Sequence, residues 1–464
     1  MARFLAIEAA SGVLLIIATI VALVWANSPW SHSYDELLHF HIGFEIGSFH
    51  LSESVLHWVN DGLMAIFFFV VGLEIKRELV TGELRDPRAA LLPTVAAVGG
   101  MVVPAIIYFA FTAGGPGAGG WGIPMATDIA FALGIASLLG KRVPTSLKIF
   151  LLTLAIVDDI GAIAVIAIFY SSGLKVGWLG LAVALLVGVF ALQRARVWYT
   201  PVYVAVGTLI WFAMFESGVH ATIAGVALGL LTPAKPLQRH IAPESVFDTV
   251  VDRPNRLDAS TYRRADLYIR ECVPVAERLE TLLHPFTSFF IIPVFALVNA
   301  GIVLSSDGIS AAATSPVTIG VVVGLVAGKT LGVFGAAFIA VKAGACRLPA
   351  GVRWPQVAAM STLAGIGFTV SLFITGLAFD DASVVTEAKM GILVASAIAA
   401  IFGAAMLYRS TDPVGVDGHD DADHDEGGLL GAIADRLEPI AESATTSPAP
   451  SQLREEESRP APHM

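Results

Sequence analysis

Long uninterrupted apolar runs, rather than short alternations, set the pattern of this chain. A helix that crosses the hydrocarbon layer of a bilayer needs about 20 mostly apolar residues. Windows of that kind recur at 5–26, 55–73, 89–113, 121–139, 147–170, 176–192, 201–216, 219–232, 286–304, 317–341, 357–378 and 387–407. The pattern predicts an all-α polytopic membrane protein with about twelve transmembrane helices, the 219–232 span being the shortest. The first window is too long for a cleavable signal, and no small-residue cleavage site follows it. Residues 27–54 instead alternate apolar and polar around Phe44-Glu45-Ile46-Gly47-Ser48-Phe49-His50-Leu51, which predicts two short strands about a Gly-Ser turn. The 233–285 segment is rich in Arg, Asp and Pro and reads as a cytoplasmic connection, mostly exposed loop or surface helix.

Composition sharpens this division. The 464 residues are 55% apolar but only 14% charged, where a soluble domain carries roughly 25% charge. The net charge of −11 belongs almost wholly to the end of the chain. From Thr411 onward thirteen acidic residues face three arginines, so this stretch carries −10 and the rest −1. The chain therefore divides into a membrane domain over 1–409 and an acidic cytoplasmic tail over 410–464, expected to be disordered. A nearly neutral apolar body with an acidic tail excludes a nucleic-acid binder and a soluble enzyme. The tail run His419-Asp420-Asp421-Ala422-Asp423-His424-Asp425 has metal-binding residue types, but a solvated tail is the better reading. Cys272 and Cys346 lie in polar connections and read as free thiols.

With twelve spans and the N-terminus inside, 22 Lys and Arg fall in inside loops and two, Lys175 and Lys389, outside, leaving aside the tail. The positive-inside rule then places both termini in the cytoplasm. One basic residue remains, Lys329, in the middle of the tenth span.

Three acidic residues share its depth. Asp158 and Asp159 sit side by side at the centre of the fifth span, and Asp128 lies within the fourth. A charge there costs at least roughly 2.5–3.5 kcal/mol, so it normally faces a cavity, a partner or a transport path. Neighbours on a helix point about 100° apart. Asp158 and Asp159 can therefore flank one cavity, one turned toward Lys329 and the other toward an ion. A salt-bridged cluster that only orients helices is a costly alternative, because packed apolar residues hold helices as well or better. Hard oxygen ligands without Cys or clustered His suit a hard cation or a proton. Protons and a cation competing for the same oxygens make an exchange mechanism.

Glycine and proline interrupt two spans. Gly122 and Pro124 precede Thr127-Asp128, and Gly365-Ile366-Gly367 stands mid-way through the eleventh, ahead of Thr369 and Ser371. Broken helices point partial charges into the membrane. Asp128 then balances helix N-termini and Lys329 helix C-termini; simple helix-packing glycines remain the alternative.

Several strings together resemble the NhaA-type sodium/proton antiporters. They are Val70-Val71-Gly72-Leu73-Glu74-Ile75-Lys76-Arg77-Glu78-Leu79, Ala126-Thr127-Asp128-Ile129-Ala130-Phe131-Ala132-Leu133-Gly134 and Ala155-Ile156-Val157-Asp158-Asp159-Ile160-Gly161-Ala162. Ser217-Gly218-Val219-His220-Ala221-Thr222, Leu283-His284-Pro285, Asn299-Ala300-Gly301 and Gly365-Ile366-Gly367-Phe368-Thr369 complete the set. The resemblance spans about residues 5–408. It implies twelve helices, with spans 3–5 and 10–12 as inverted repeats and two interrupted helices crossing at the midplane. Asp158 and Asp159 are implied as the cation and proton site, Lys329 as the partner of Asp158, and Asp128 with Thr127 as support for the crossing. Also implied are a homodimer in the bacterial inner membrane, helped by the hairpin of the first outside loop, and electrogenic export of Na+ or Li+ driven by entering H+. No cofactor is implied.

A pH-response cluster is implied at the cytoplasmic mouth, comprising Glu74, Arg77, Glu78, Glu280 and His284, with His220 in the same set. The i, i+3, i+4 spacing of Glu74, Arg77 and Glu78 puts them on one helical face, where ion pairing is available. The sequence departs from the family pattern at Glu277, Thr281 and Thr330, and its 233–279 connection is longer than usual. Three other functions compete. An intramembrane aspartyl protease needs Tyr-Asp and Gly-x-Gly-Asp contexts that are missing at Asp128, Asp158 and Asp159. A passive cation channel calls for a repeated carbonyl-rich filter, and none occurs. Proton-coupled solute symport is excluded only by the family resemblance.

Overall fold

In a bilayer each backbone N–H and C=O must be satisfied within its own segment or by a protein neighbour, and this chain answers almost entirely with helices. The computed structural model describes residues 2–46, 49–171, 173–195, 200–235 and 273–411. The acidic tail, its His/Asp run, Cys272 and most of the 233–285 connection lie outside the described residues.

Helix α1 (Ala2–Ala26) is followed by α2 (Ser31–His39) at 111°. Strands β1 (His41–Ile46) and β2 (Phe49–Ser54) pair antiparallel, His41 opposite Ser54 and Ile46 opposite Phe49. The predicted hairpin is therefore present, although its Gly47-Ser48 turn lies outside the described residues. Helix α3 (Val55–His57) then passes through a wide turn at Trp58–Leu63 into α4 (Met64–Val80). Helix α5 (Pro87–Thr112) opens on Pro87, with Asp86 accepting from the Arg88 N–H as its cap.

A 3-10 helix, Pro116–Met125, and α6 (Ile129–Leu138) form the first broken pair, bent by 43°. Helices α7 (Thr145–Phe169), α8 (Val176–Arg194), α9 (Thr200–Ser217) and α10 (Thr222–Leu231) follow. Beyond the undescribed connection come α11 (Val275–Phe286), a wide turn at Thr287–Ile291 and α12 (Ile292–Asn299). Helix α13 (Ser306–Thr314) leads to α14 (Pro316–Val323), a third wide turn at Gly324–Gly328 and α15 (Lys329–Lys342). Helices α16 (Trp354–Leu363) and α17 (Phe368–Ala378) make the second broken pair, bent by 44°, before α18 (Ala382–Ser410).

Among the described residues, six helices are long and apolar enough to cross a bilayer, and counting each bent pair as one span gives up to nine. The twelve windows read from hydropathy thus meet shorter or interrupted helices: α9 and α10 fall short, and the wide turn at Trp58–Leu63 divides the second window. Two boundaries are worth noting. The helix that runs into the ninth span starts at Val275, so the last eleven residues of the 233–285 connection are helical. Lys389, assigned to an outside loop, lies about two turns inside α18.

The outward faces are apolar. Ile17, Ile20 and Val24 on α1, Ile106 and Phe109 on α5 and Ile401 and Phe402 on α18 are all exposed. Contiguous apolar surface of this kind belongs against lipid rather than water. Inside, α4 packs on α10, α5 on α15, α1 on α6 and α16 on α18. The α4–α10 contact brings backbones together through small residues, the usual route to close helix packing in a membrane. A Cβ at Gly225 would strike the Ala65 carbonyl, and one at Gly229 the Phe69 carbonyl. Gly225→Leu is therefore expected to destabilise the protein by about 1–3 kcal/mol or more, because the opposing atoms are backbone and cannot rotate away. Thermal unfolding in detergent checks this, and a melting temperature equal to that of the parent would contradict it.

Candidate functional site

Two buried breaks in helices meet beside α7. In the first, Ala126 and Asp128 are extended, which frees backbone groups that need partners in a dry environment. The second break, 364–367, supplies them. The Asp128 N–H donates to the Ile366 carbonyl at 2.6 Å, and Thr127 Oγ1 donates to the Ala364 carbonyl at 2.9 Å. Glycine eases the packing around this contact: a Cβ at Gly365 would meet the Leu325 carbonyl of the wide turn at Gly324–Gly328, and one at Gly367 would crowd the Ala126 carbonyl of the first break.

Asp128 caps two helices at once. Its Oδ1 accepts from the Phe131 N–H at 3.0 Å, at the start of α6. Its Oδ2 accepts from the Thr369 N–H at 3.0 Å and the Thr369 hydroxyl at 2.7 Å, at the start of α17. Both helix N-termini thus direct their positive ends at one carboxylate. At the opposite polarity, Lys329 Nζ donates to the Met125 carbonyl, the last residue of the 3-10 helix.

Lys329 also donates to Asp158 Oδ2 at 2.6 Å, and both side chains are completely buried. Asp158 Oδ1 forms no hydrogen bond among the described residues. Asp159, one residue on, points elsewhere: it lines a cavity of about 60 Å³ together with Asp128, Thr127, Glu74, His284 and Thr369. So α7 offers one carboxylate balanced by a lysine and a second facing open space.

At one end of the cavity α4 and α11 bring charges together. Arg77 Nη1 donates to Glu280 Oε1 at 2.5 Å and Nη2 to Glu78 Oε1 at 3.4 Å. Glu78 Oε2 accepts from the Glu83 N–H at 3.0 Å. Both glutamates are buried, and Glu280 Oε2 forms no hydrogen bond among the described residues. Glu74 and His284, from the same two helices, face the cavity.

Comparison with known proteins places the chain in a family. The sequence model of a family described as Na+/H+ antiporter 1 matches residues 2–407. The chain is 47% identical to a Na(+)/H(+) antiporter NhaA 3 of Frankia alni over 87% of each chain. It is 48% identical to a Na(+)/H(+) antiporter NhaA of Rhodopirellula baltica, over 88% of this chain and 93% of that one. A Na(+)/H(+) antiporter NhaA 2 of Sorangium cellulosum is 44% identical over 95% of this chain and 94% of its own. This chain belongs to the Na+/H+ antiporter 1 family.

In this antiporter-family member the implied site residues fall into three places. Asp128, Thr127, Asp158, Asp159 and Lys329 converge where the broken helices meet α7. Glu74, Arg77, Glu78, Glu280 and His284 converge between α4 and α11. His220 joins neither group. Its Nε2 lies 2.9 Å from the Tyr170 carbonyl, beyond the far end of α7, about 16 Å along the helix from Asp159. There the Tyr170 hydroxyl donates to the Gly119 carbonyl and accepts from the Gly122 N–H, at 2.9 and 3.0 Å, pinning the 3-10 half-helix. Sequence reasoning missed this clamp, and it missed Thr287 and Ser288 in the cavity wall, which hydropathy absorbs into an ordinary span. Their one signal is Pro293. It has no N–H for the carbonyl four residues earlier, and just ahead of it the Ile292 N–H reaches back to Thr287 in a wide turn. Among the described residues Cys346 is a free thiol in a connecting loop.

Proposed function

We propose that this protein is an electrogenic sodium (or lithium)/proton antiporter of the bacterial inner membrane, with Asp159 and Asp158 as the site that cation and protons share. The observation that carries it is the unlike state of two adjacent carboxylates. Asp158 is balanced by Lys329, and Asp159 faces a cavity. An alkali cation entering the cavity meets the Asp159 carboxylate and, beside it, the uncommitted Oδ1 of Asp158. Carboxylate oxygens suit a hard cation that is shedding water. Protons arriving at the same oxygens displace it, and since one site holds one load at a time, export of one ion is tied to entry of the other. When Asp158 takes a proton its attraction for Lys329 is lost, which gives loading a structural consequence at the helix breaks.

On this reading the two broken helices cross at the membrane midplane within inverted repeats, in a bundle of twelve spans with both termini cytoplasmic. Asp128 and Lys329 hold their facing ends, and rocking around them exposes the site to each side in turn. The β1–β2 hairpin serves a homodimer. The Arg77 cluster, with Glu74, Glu78, Glu280 and His284, sets the pH response from the cytoplasmic mouth, and His220 contributes from the other end.

The full chain in proteoliposomes tests the exchange. A sodium or lithium pulse should drive protons the opposite way, faster when valinomycin and potassium collapse the membrane potential. Sodium current without proton movement would make the protein a channel, and exchange that requires an organic solute would make it a symporter. For the pH cluster, Arg77→Ala removes the positive charge that Glu280 and Glu78 share. The pH of half-maximal exchange should rise by about one unit, with little change in sodium KM once the medium is alkaline. A changed KM with an unmoved pH profile would place Arg77 in the transport path instead.

A further inference from the structure

The cavity wall carries four hydroxyl groups, and three are committed to the protein. Thr127 Oγ1 donates to the Ala364 carbonyl at 2.9 Å, Thr369 Oγ1 to Asp128 Oδ2 at 2.7 Å and Thr287 Oγ1 to the His284 carbonyl at 2.9 Å. The fourth is Ser288. This side chain is only 3% exposed, yet its Oγ makes no hydrogen bond with any described residue.

Local geometry explains why. A serine on a helix normally returns its hydroxyl to the carbonyl four residues earlier. For Ser288 that acceptor is His284, and both the Thr287 hydroxyl and the Thr287 N–H already reach it. The wide turn at Thr287–Ile291 then carries Ser288 around to the cavity lined by Asp159. A hydroxyl that opens on a cavity and is not committed to the protein takes its partner from what the cavity holds.

We propose that Ser288 Oγ is an oxygen ligand for the alkali cation in this cavity, acting with the Asp159 carboxylate; this rests on the reading that the cavity holds the transported ion. The chemistry differs from that of the carboxylates. A hydroxyl adds a lone pair to the coordination shell but takes up no proton near neutral pH. Ser288 therefore strengthens the cation's side of the competition alone, whereas Asp158 and Asp159 serve both competitors.

Ser288→Ala removes one oxygen and leaves the volume nearly unchanged. It is expected to raise KM for both Na+ and Li+ by roughly three- to tenfold, the worth of one neutral polar contact, with a smaller effect on kcat. The half-maximal pH measured at saturating sodium should stay where it is. At low sodium it should move alkaline, because protons now compete against a weaker rival. Ser288→Thr keeps the oxygen and should recover most of the affinity. Direct binding of sodium or lithium to the purified full chain should weaken by the same factor in the alanine variant. Unchanged KM and binding in Ser288→Ala would overturn the proposal, as would a threonine variant as impaired as alanine, which would signify packing. If the parent protein binds sodium but does not exchange it, while Ser288→Ala binds it more weakly, antiport fails and the ligand assignment survives. A parent protein that binds neither ion overturns both.

Discussion

Asp159→Asn is expected to give a folded protein that no longer exchanges sodium for protons, with a loss of about 100-fold or more in rate. The substitution keeps the shape of the side chain and removes its charge. Asp159 forms no hydrogen bond or ion pair with a described residue, so asparagine leaves no protein partner stranded, and the thermal unfolding temperature should be nearly that of the parent. What disappears is the one cavity-facing carboxylate of the α7 pair. Removing one member of a desolvated charge contact costs about 2–5 kcal/mol, which at 1.4 kcal/mol per tenfold spans roughly 30-fold to several thousandfold, and the 100-fold mark is passed at about 2.8 kcal/mol. Sodium-driven proton flux in proteoliposomes, paired with a melting curve, separates loss of function from loss of fold. Exchange above a tenth of the parent rate would remove Asp159 from the site and turn attention to Glu74 in the same cavity.

Lys329→Met should show the opposite profile, a large loss of stability. The lysine is completely buried and satisfies two acceptors, Asp158 Oδ2 and the Met125 carbonyl. Methionine fills similar volume but donates nothing, so Asp158 would be left as an uncompensated buried charge. Breaking a buried pair from one side typically costs about 3–5 kcal/mol. Replacing both members with groups of like shape is far milder, because no charge is stranded. The double variant Lys329→Met with Asp158→Asn should therefore melt closer to the parent than Lys329→Met alone, while its exchange stays abolished. Equal melting temperatures for the single and double variants would show that the Lys329–Asp158 bond contributes little to the fold.

Much of this arrangement is legible in the sequence, and the reasons are physical. A charge at bilayer depth is so costly that its position alone marks a cavity or a partner, which is why Asp128, Asp158, Asp159 and Lys329 stand out before any coordinates. Glycine and proline mark the helix breaks because each removes a constraint or a donor that an unbroken helix needs. Adjacent carboxylates diverge by the helical angle, which separates Asp158 on its lysine from Asp159 on its cavity. Other features leave fainter traces. The Arg77–Glu280 bond joins residues 203 apart in the chain, and no spacing rule reaches that far. Span boundaries blur because apolar windows ignore amphipathic helix starts, so the first turns of the helix beginning at Val275 read as part of a polar connection. The wide turns at Trp58–Leu63, Thr287–Ile291 and Gly324–Gly328 shift helical phase by one residue, and composition carries almost no record of that shift.

The Asp158–Lys329 pair has an electrical consequence for transport. On the proposed reading, with that pair neutral and Asp128 held between two helix N-termini, the α7 carboxylates and Lys329 together carry the charge of Asp159 when no ion is bound. In the proposed cycle a sodium ion would cancel it, and the sodium-loaded form would cross the membrane field without work. Voltage, worth about 2.3 kcal/mol per elementary charge per 100 mV, then acts on the form that carries protons or no ion at all. In the proposed cycle a cell's membrane potential therefore drives the return stroke and leaves the sodium-carrying stroke almost untouched.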